Sequence, residues 1–418
     1  MFFQNGYAQV PSPGKAQTET IILRGGFAHI GNGTVIENSV VGFENGKITM
    51  VGDARTVKLD PLAAKIIDVS GKHLYPGIIA PNTTLGLQEI GAVRATRDHD
   101  EVGSMIPNVR TLIAYSTNSR VTPTVRSNGI LVAQIAPQGG RISGSSSIVQ
   151  LDAWNWEDAS ILENDGIFVN WPSMITVKGW WAEPGGVEEN KEYIKQLKEL
   201  KDFFLEASAY LDKPASEKKN LKFEAMRGVI KERKNVYVRV GFVRGMMAAI
   251  NFGEEMGVKI VIVGGRDSWK IADLLAEKEI PIILMRTHRL PANDDEDIDQ
   301  PFKTPKMLHD AGVNYCIGMG GFWDQRNLIF HAGSAAAHGL TKEQALAAIT
   351  SNTAKILGID DQFGTLESGK DATIVVSEGD ILDMKSSKIE NAYISGRKVD
   401  LNDKQKMLYE KFRKKYFE

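Results

Sequence analysis

The sequence has few of the features that mark a disulfide-bonded, membrane-spanning or nucleic-acid-binding protein. Its 418 residues contain a single cysteine, Cys316, so no disulfide can form within the chain. Cys316 lies in the apolar run VNYCIGMG, which favours a buried strand residue over a nucleophile because cysteine is among the most buried residue types. No run of about 18 apolar residues occurs, which excludes a membrane-spanning helix. The net charge of -2 gives no electrostatic reason to expect binding to nucleic acid or to an anionic membrane.

The first residues carry a weak export signal. The start MFFQNGYAQVPSPGKAQ lacks the basic residues of a signal peptide, yet NGYA followed by Gln9 resembles the end of one. We therefore expect residues 1–19 to be a flexible segment that retains part of a signal peptide. This predicts an extracytoplasmic (periplasmic) location, with the cytoplasm as the alternative.

Strands and helices alternate through the middle of the chain. From Tyr75 onward there are eight candidate strands, the last four being VYVRVGF, KIVIVGG, IPIILMR and VNYCIGMG. These repeats predict right-handed crossovers in a parallel sheet, and eight strands are the number that closes a barrel. Residues 186–211 have apolar side chains at helical spacing, which predicts an amphipathic helix. The stretch QGGRISGSSS predicts a tight turn over the barrel mouth.

Both ends of the chain are rich in short β-strands. Residues 20–69 include a hairpin signal at Asn45-Gly46, and residues after 363 predict further hairpin strands and a final amphipathic helix. Before them, Thr341 and Gln344 form a predicted capping box. Because the terminal strands have no nearer neighbours, we expect an α/β protein in which both chain ends build one small β-sandwich beside a (β/α)8 TIM-type barrel. The predicted divisions are 1–19 (flexible segment), 20–74 with 363–400 (β-sandwich), 75–362 (barrel) and 401–418 (C-terminal helix).

Several motifs, in this order and spacing, resemble the amidohydrolase superfamily, most nearly its imidazolonepropionase-like branch. They are ENSVVGFENGKITMVG, KHLYPGII, GLTKEQALAAITSNTAKILGI and FGTLESGKDATIVV. The resemblance covers almost the whole chain. It implies hydrolysis of carbon-nitrogen bonds in compounds such as cyclic amides, where a metal activates water at the C-terminal face of the barrel.

The metal-binding positions that this resemblance implies are occupied by other residue types. The two histidines of the first strand fall on Asn82 and Thr84, and that of the fifth strand falls on or near Arg239. The sixth-strand histidine falls at Gly264 or Gly265. The eighth-strand aspartate falls at Met319 or Gly320. None of these side chains is a usual ligand for zinc or iron, and the fourth-strand ligand has no clear match.

Two functional hypotheses follow. In the first, the protein is a metal-free relative without a cofactor. It would bind a small anionic ligand where the metal was lost, or act as a non-catalytic subunit in a homo-oligomer or beside a catalytic amidohydrolase. The pocket would be formed by Asn82, Thr84, Arg239, Gly265 and Gly320, with Arg94, Arg97 and Arg286 as further anion-binding residues.

In the second hypothesis the protein is an active hydrolase whose site was rebuilt from other barrel loops. His99 and His288 lie on loops expected to reach the barrel mouth, and Asp267 and Asp324 supply further candidate groups. Zinc or iron is expected only in this case. A purely structural role in an oligomer is the remaining alternative.

Overall fold

The computed structural model describes residues 12–57, 64–180, 182–214, 218–291 and 293–417. The signal-like residues 1–11 lie outside these ranges. The β-strands are β1 Ile21–Arg24, β2 Phe27–His29, β3 Val35–Ile36, β4 Ser39–Glu44, β5 Lys47–Asp53, β6 Lys65–Asp68, β7 His73–Pro76, β8 Ile78–Thr83, β9 Ile130–Ile135, β10 Ile142–Gln150, β11 Ser160–Asn170, β12 Ile175–Trp180, β13 Glu183–Glu189, β14 Asn235–Val240, β15 Lys259–Gly264, β16 Ile282–Met285, β17 Tyr315–Gly318, β18 Ile374–Ser377, β19 Ile389–Ile394 and β20 Arg397–Lys398.

Helices separate many of these strands. The α-helices are α1 Thr111–Ala114, α2 Thr122–Arg126, α3 Trp156–Ala159, α4 Tyr193–Leu211, α5 Leu221–Ala225, α6 Arg227–Lys231, α7 Val243–Met256, α8 Ala272–Glu277, α9 Gln300–Asp310, α10 Leu328–Ala337, α11 Lys342–Ala347, α12 Ser351–Leu357 and α13 Lys404–Phe417. The capping box is present at the start of α11, where Gln344 N donates to Thr341 Oγ1. No helix among the described residues is long and apolar enough to cross a bilayer.

An eight-stranded sheet forms a nearly closed barrel. Its order is β17-β16-β15-β14-β11-β10-β9-β8, and β17 lies beside β8. Inward-facing side chains such as Ile79, Phe168 and Val261 fill the interior. Cys316 is fully buried there on β17, as the apolar run around it predicts. The predicted barrel-type α/β fold is confirmed.

One barrel strand runs against its neighbours. Strand β10 is antiparallel to both β9 and β11, whereas the pairs from β11 through β17 are parallel. A short turn through Gly139 and Gly140, both at positive φ, joins β9 directly to β10 without a helix. The prediction that QGGRISGSSS is a turn was therefore wrong for its second half, because Ile142 onward is buried strand. The barrel mouth consequently contains the amino end of β10.

The two chain ends form an additional β unit. Its sheets have the orders β5-β4-β1-β6 and β20-β19-β18-β7-β2-β3, and a buried cluster including Leu23, Phe43 and Leu74 packs between the strands. Asn45 and Gly46 turn the β4–β5 hairpin at φ values of 50° and 77°, which both residue types tolerate. Strand β7 belongs to this unit, and Gly77 separates it from β8 of the barrel.

An exposed hairpin stands between β11 and α4. Strands β12 and β13 pair only with each other, and every described side chain on β12 is exposed. The prediction that the amphipathic helix covers residues 186–211 was wrong at its start, because the chain is in strand conformation to Glu189 and α4 begins at Tyr193. The described residues of the hairpin form no buried face whose alternation would have revealed it.

Candidate functional site

The first barrel strand ends in an asparagine with an unusual backbone. Asn82 has a φ of 52°, in the left-handed region that asparagine enters more easily than most residues. The register of β8 against β9 is irregular between Ala80 and Thr83, so the strand bulges at this point. The bulge leaves the buried Asn82 side chain pointing at β14, where its Oδ1 accepts a hydrogen bond of 2.9 Å from Arg239 Nη2.

Arg239 lies at the centre of the mouth. Besides Asn82, its Nη2 donates to the carbonyl oxygen of Pro137 at 2.8 Å, and its Nη1 donates to Asn170 Oδ1 at 3.4 Å. The guanidinium stacks on the Phe168 ring, 4.3 Å from the centroid. These contacts place the head group where β8, β11 and β14 approach one another.

The charge of Arg239 has no counter-ion on the described part of the chain. No carboxylate there forms an ion pair with it, and its buried Nε has no acceptor. Burial alone lowers the pKa of Arg239 to about 9, since the charged form loses hydration. At neutral pH the group still carries its proton, so a largely desolvated positive charge sits in the barrel mouth.

A second set of polar side chains lies deeper in the barrel. Gln134 accepts from Asn82 N at 3.0 Å and donates to Asp165 Oδ2 at 2.8 Å. Tyr237 also donates to Asp165 Oδ2, at 2.8 Å. Burial raises the pKa of Asp165, and these hydrogen bonds oppose the rise. Together these contacts connect Asp165 to Arg239 through two neutral amides.

The other positions implied by the family resemblance also hold no metal ligand. Thr84 N donates to Gly321 O at 3.0 Å, and its buried hydroxyl has no partner among the described residues. Gly264 and Gly265 both have positive φ at the end of β15. A Cβ atom on Gly264 would lie 2.8 Å from Val240 O, so a histidine cannot replace it without a backbone shift. Gly320 lies beside the end of Met285.

Acidic, cysteine and histidine side chains do not gather into a metal site. Within the described ranges, no group of three or more of them is arranged to hold a metal ion. Asp165 is the one carboxylate in the network just described, and its neighbours there are amides, a phenol and the arginine. The residues present therefore do not fit the cation that the family resemblance implies.

His99 lies on the loop that covers this part of the mouth. Its carbonyl accepts from Gln138 N at 2.6 Å, next to the Pro137 carbonyl that Arg239 contacts. Its Nε2 is 3.6 Å from Asp100 Oδ1, its Nδ1 is buried without a partner among the described residues, and burial lowers its pKa. A groove lined by His99, Pro137, Arg110 and Lys222, among others, opens beside the mouth.

His288 belongs to a different cluster at the end of β16. The ring is hydrogen-bonded to Ser334 and packs on His331 at 4.4 Å between centroids. His331 is buried, accepts a 3.1 Å hydrogen bond from Thr287 N, and has its pKa lowered to about 4 by burial. Partial burial also lowers the pKa of His288, although the side chain is largely exposed.

The remaining candidates are separate from Arg239. Arg286 forms an exposed ion pair of 3.0 Å with Asp324, so its charge is already matched. Asp267 is buried after β15, and its Oδ1 has no partner among the described residues. Arg94 is exposed in a short 3-10 helix, and the backbone of Arg97 forms an isolated antiparallel β-bridge with that of Gln88. No hydrogen bond or ion pair in the described ranges joins His99, His288 and Asp267 to one another.

Sequence reasoning missed the groups that support Arg239. Asp165, Gln134 and Tyr237 all lie on barrel strands, and Phe168 supplies the ring beneath the guanidinium. The alternation on β14, where Tyr237 and Arg239 are two residues apart and face the same side, was the signal available. Gln134 on β9 and Asp165 on β11 lie in stretches whose sequence gives no comparable indication of a contact with β14.

Part of the chain is similar to proteins of known family. Residues 255–402 match the sequence profile of the Amidohydrolase family. "Amidohydrolase tasK" of Hapsidospora irregularis is 29% identical over 129 residues, and the imidazolonepropionase of Bacillus cereus is 51% identical over 51 residues. These matches cover 27% and 12% of this chain, and 12% of the length of each relative.

Solved structures resemble nearly the whole chain. An amidohydrolase from Thermotoga maritima MSB8 aligns with a TM-score of 0.76 and 24% identity, over 91% of this chain and 99% of that one. Molinate hydrolase aligns with a TM-score of 0.55 and 14% identity, over 93% and 95% of the two chains. This chain thus contains a region similar to the Amidohydrolase family and has the fold of solved amidohydrolases.

Proposed function

We propose that this protein is a non-catalytic amidohydrolase relative that binds a small carboxylate at the barrel mouth. The observation that carries the proposal is the positive charge of Arg239, which is largely buried and has no counter-ion among the described residues. An unpaired buried charge is strongly unfavourable, whereas an anion that contacts it recovers much of the lost hydration. A ligand carboxylate is the simplest such anion.

The neighbours of Arg239 suit this role. Asn82 and Pro137 hold Nη2 and so fix the plane of the guanidinium. The Phe168 ring covers one face, leaving Nε–H as a donor without an acceptor on the described chain. Charge-assisted hydrogen bonds from arginine to carboxylate are strong and directional. A pre-oriented guanidinium of this kind favours binding over turnover because no nucleophile or base on the described part of the chain contacts it.

The same residues argue against metal-dependent hydrolysis at this place. The fixed charge of Arg239 repels a cation, and Asn82 replaces a histidine. The crowded backbone at Gly264 leaves no space for another ligand. We extend the proposal to an assembly role, in which the protein pairs with itself or with a catalytic amidohydrolase.

Ligand binding tests the proposal. Wild type and Arg239→Met are titrated with acetate, succinate and N-acetylglycine. The heat of binding and the melting temperature of the protein are measured. We expect saturable binding of at least one carboxylate by wild type and roughly tenfold or greater weakening in the variant, the loss typical of one charged hydrogen bond. Arg286→Met is the matched control, because Arg286 is already paired with Asp324. Equal binding by wild type and Arg239→Met, or no binding at all, would refute the proposal.

The second candidate function is hydrolysis at a rebuilt site, and His288 is the observation that favours it. A histidine with a lowered pKa, hydrogen-bonded to Ser334 near the end of a barrel strand, has the chemistry of a general base. Turnover of a panel of cyclic amides that is lost in His288→Ala would support this candidate. Stoichiometric zinc or iron in protein purified without chelator would also favour it over the carboxylate-binding role.

A further inference from the structure

Helix α13 is attached to the molecule at its first turn. All fourteen residues from Lys404 to Phe417 are exposed. The attachment includes a hydrogen bond of 3.0 Å from Thr124 Oγ1 to Gln405 Oε1, and Asp403, just before the helix, accepts from Ser127 Oγ at 2.7 Å. The later turns have no burial to stabilise them, although an isolated helix of this length is marginal in water.

One face of α13 is apolar. Leu408, Phe412 and Tyr416 are four residues apart, so they line one stripe of the helix, and Tyr409 lies at its edge. Their exposed fractions are 41%, 49%, 68% and 65% respectively. Gln405 lies on the same stripe and contacts the barrel. The apolar residues of the stripe come after it and therefore extend beyond the surface of the barrel. Large apolar side chains grouped in this way mark an interaction site.

The rest of the helix is strongly basic. It carries six lysine or arginine side chains and a single acidic one, Glu410. Lys415 and Arg413 flank the apolar stripe in the helical projection. Because the whole chain has a net charge of -2, the positive charge of this helix is offset by a net negative charge on the rest of the molecule.

These properties select the partner. Pairing of α13 with α13 of a second copy would bring two strongly positive helices together, which is unfavourable at physiological salt. A negatively charged surface with an apolar layer just beneath it satisfies both the lysines and the aromatic stripe. We propose that α13 lies in the headgroup region of a bilayer rich in anionic phospholipid and holds the protein at its surface.

Vesicle binding tests this proposal with the full chain. The protein is mixed with phosphatidylcholine vesicles with and without about one-third phosphatidylglycerol, and the bound fraction is measured by flotation. We expect binding at least tenfold stronger with the anionic lipid, and most of it lost in 0.5 M salt, since surface attraction is screened on the order of a Debye length. Lack of preference for anionic vesicles would overturn the proposal.

Two variants separate charge from apolar contact. Lys411→Glu with Lys415→Glu should weaken binding at least tenfold, as each lysine near an anionic surface contributes about fivefold. Phe412→Ser should also weaken it about tenfold, because an apolar ring is no longer buried. Leu205→Ser on the exposed face of α4 is the matched control and should bind like wild type.

Other partners of α13 give distinguishable results. A dimer in solution that dissociates in Phe412→Ser, without vesicle binding, would assign the stripe to a protein interface and overturn the proposal. Binding to single-stranded nucleic acid that equals binding to anionic vesicles, and that survives Phe412→Ser, would overturn it as well. Helical content that rises with anionic vesicles would support it.

Discussion

Replacing Arg239 with methionine should make the unliganded protein more stable. Burial lowers the pKa of Arg239 to about 9. This shift means that burial destabilises the charged guanidinium by at most roughly 5 kcal/mol at neutral pH. Methionine removes this charge and keeps most of the packing on Phe168. It also leaves Asn82 Oδ1 and the Pro137 carbonyl without their donor, at a cost of about 1 to 2 kcal/mol each. We expect a net gain of at most about 1 to 3 kcal/mol.

Urea unfolding of wild type and Arg239→Met in carboxylate-free buffer at pH 7.5 measures this difference. The sign of the pH dependence is a second check. The folded protein releases the Arg239 proton at a lower pH than the unfolded chain, so wild-type stability should rise relative to the variant as the pH rises above about 9. Saturating carboxylate should stabilise wild type only. A variant less stable than wild type by more than about 1 kcal/mol would show that the Arg239 charge is already compensated, and would refute the reasoning.

Three further predictions concern groups away from Arg239. The pKa of buried His331 is lowered to about 4, so wild type should lose up to roughly 3 kcal/mol of stability relative to His331→Gln as the pH falls from 6.5 to 4, measured by urea unfolding at each pH. Burial raises the pKa of Cys316 to about 12, so a thiol reagent at pH 8 should label it only after denaturation. Arg126 and Asp152 form a buried ion pair of 2.7 Å, and Asp152→Asn should cost about 3 to 5 kcal/mol in chemical denaturation; a cost below 1 kcal/mol would contradict this.

Local patterns predicted much of the fold. The hairpin at Asn45 and the capping box at Thr341 are set by residues within a few positions of each other, and both are present. The barrel strands could be predicted because they are apolar runs in the sequence. The direction of β10 could not be predicted, because an apolar pattern is the same in either direction. The β12–β13 hairpin was not predicted because none of its described side chains is buried.

The site was less predictable than the fold. The resemblance placed Asn82 and Arg239 in one pocket, and their side chains are 2.9 Å apart. It could not show that Arg239 lacks a counter-ion among the described residues, since that depends on every strand around the mouth. Nor could it reveal Asp165, whose partner Tyr237 is 72 positions away. The basic character of helix α13 was likewise not predicted, because only the near-neutral charge of the whole chain was considered.

The terminal β unit affects how this protein is made. Strand β7 pairs with β2, close to it in sequence, and with β18, near the other end of the chain. His29 likewise contacts Glu343, which is 314 positions later. At about 5 to 20 residues per second, a ribosome needs roughly 15 to 60 s to synthesise that interval. Throughout that time the apolar edge of the nascent sheet has no partner strand, and unpaired apolar edges of this kind are prone to aggregation.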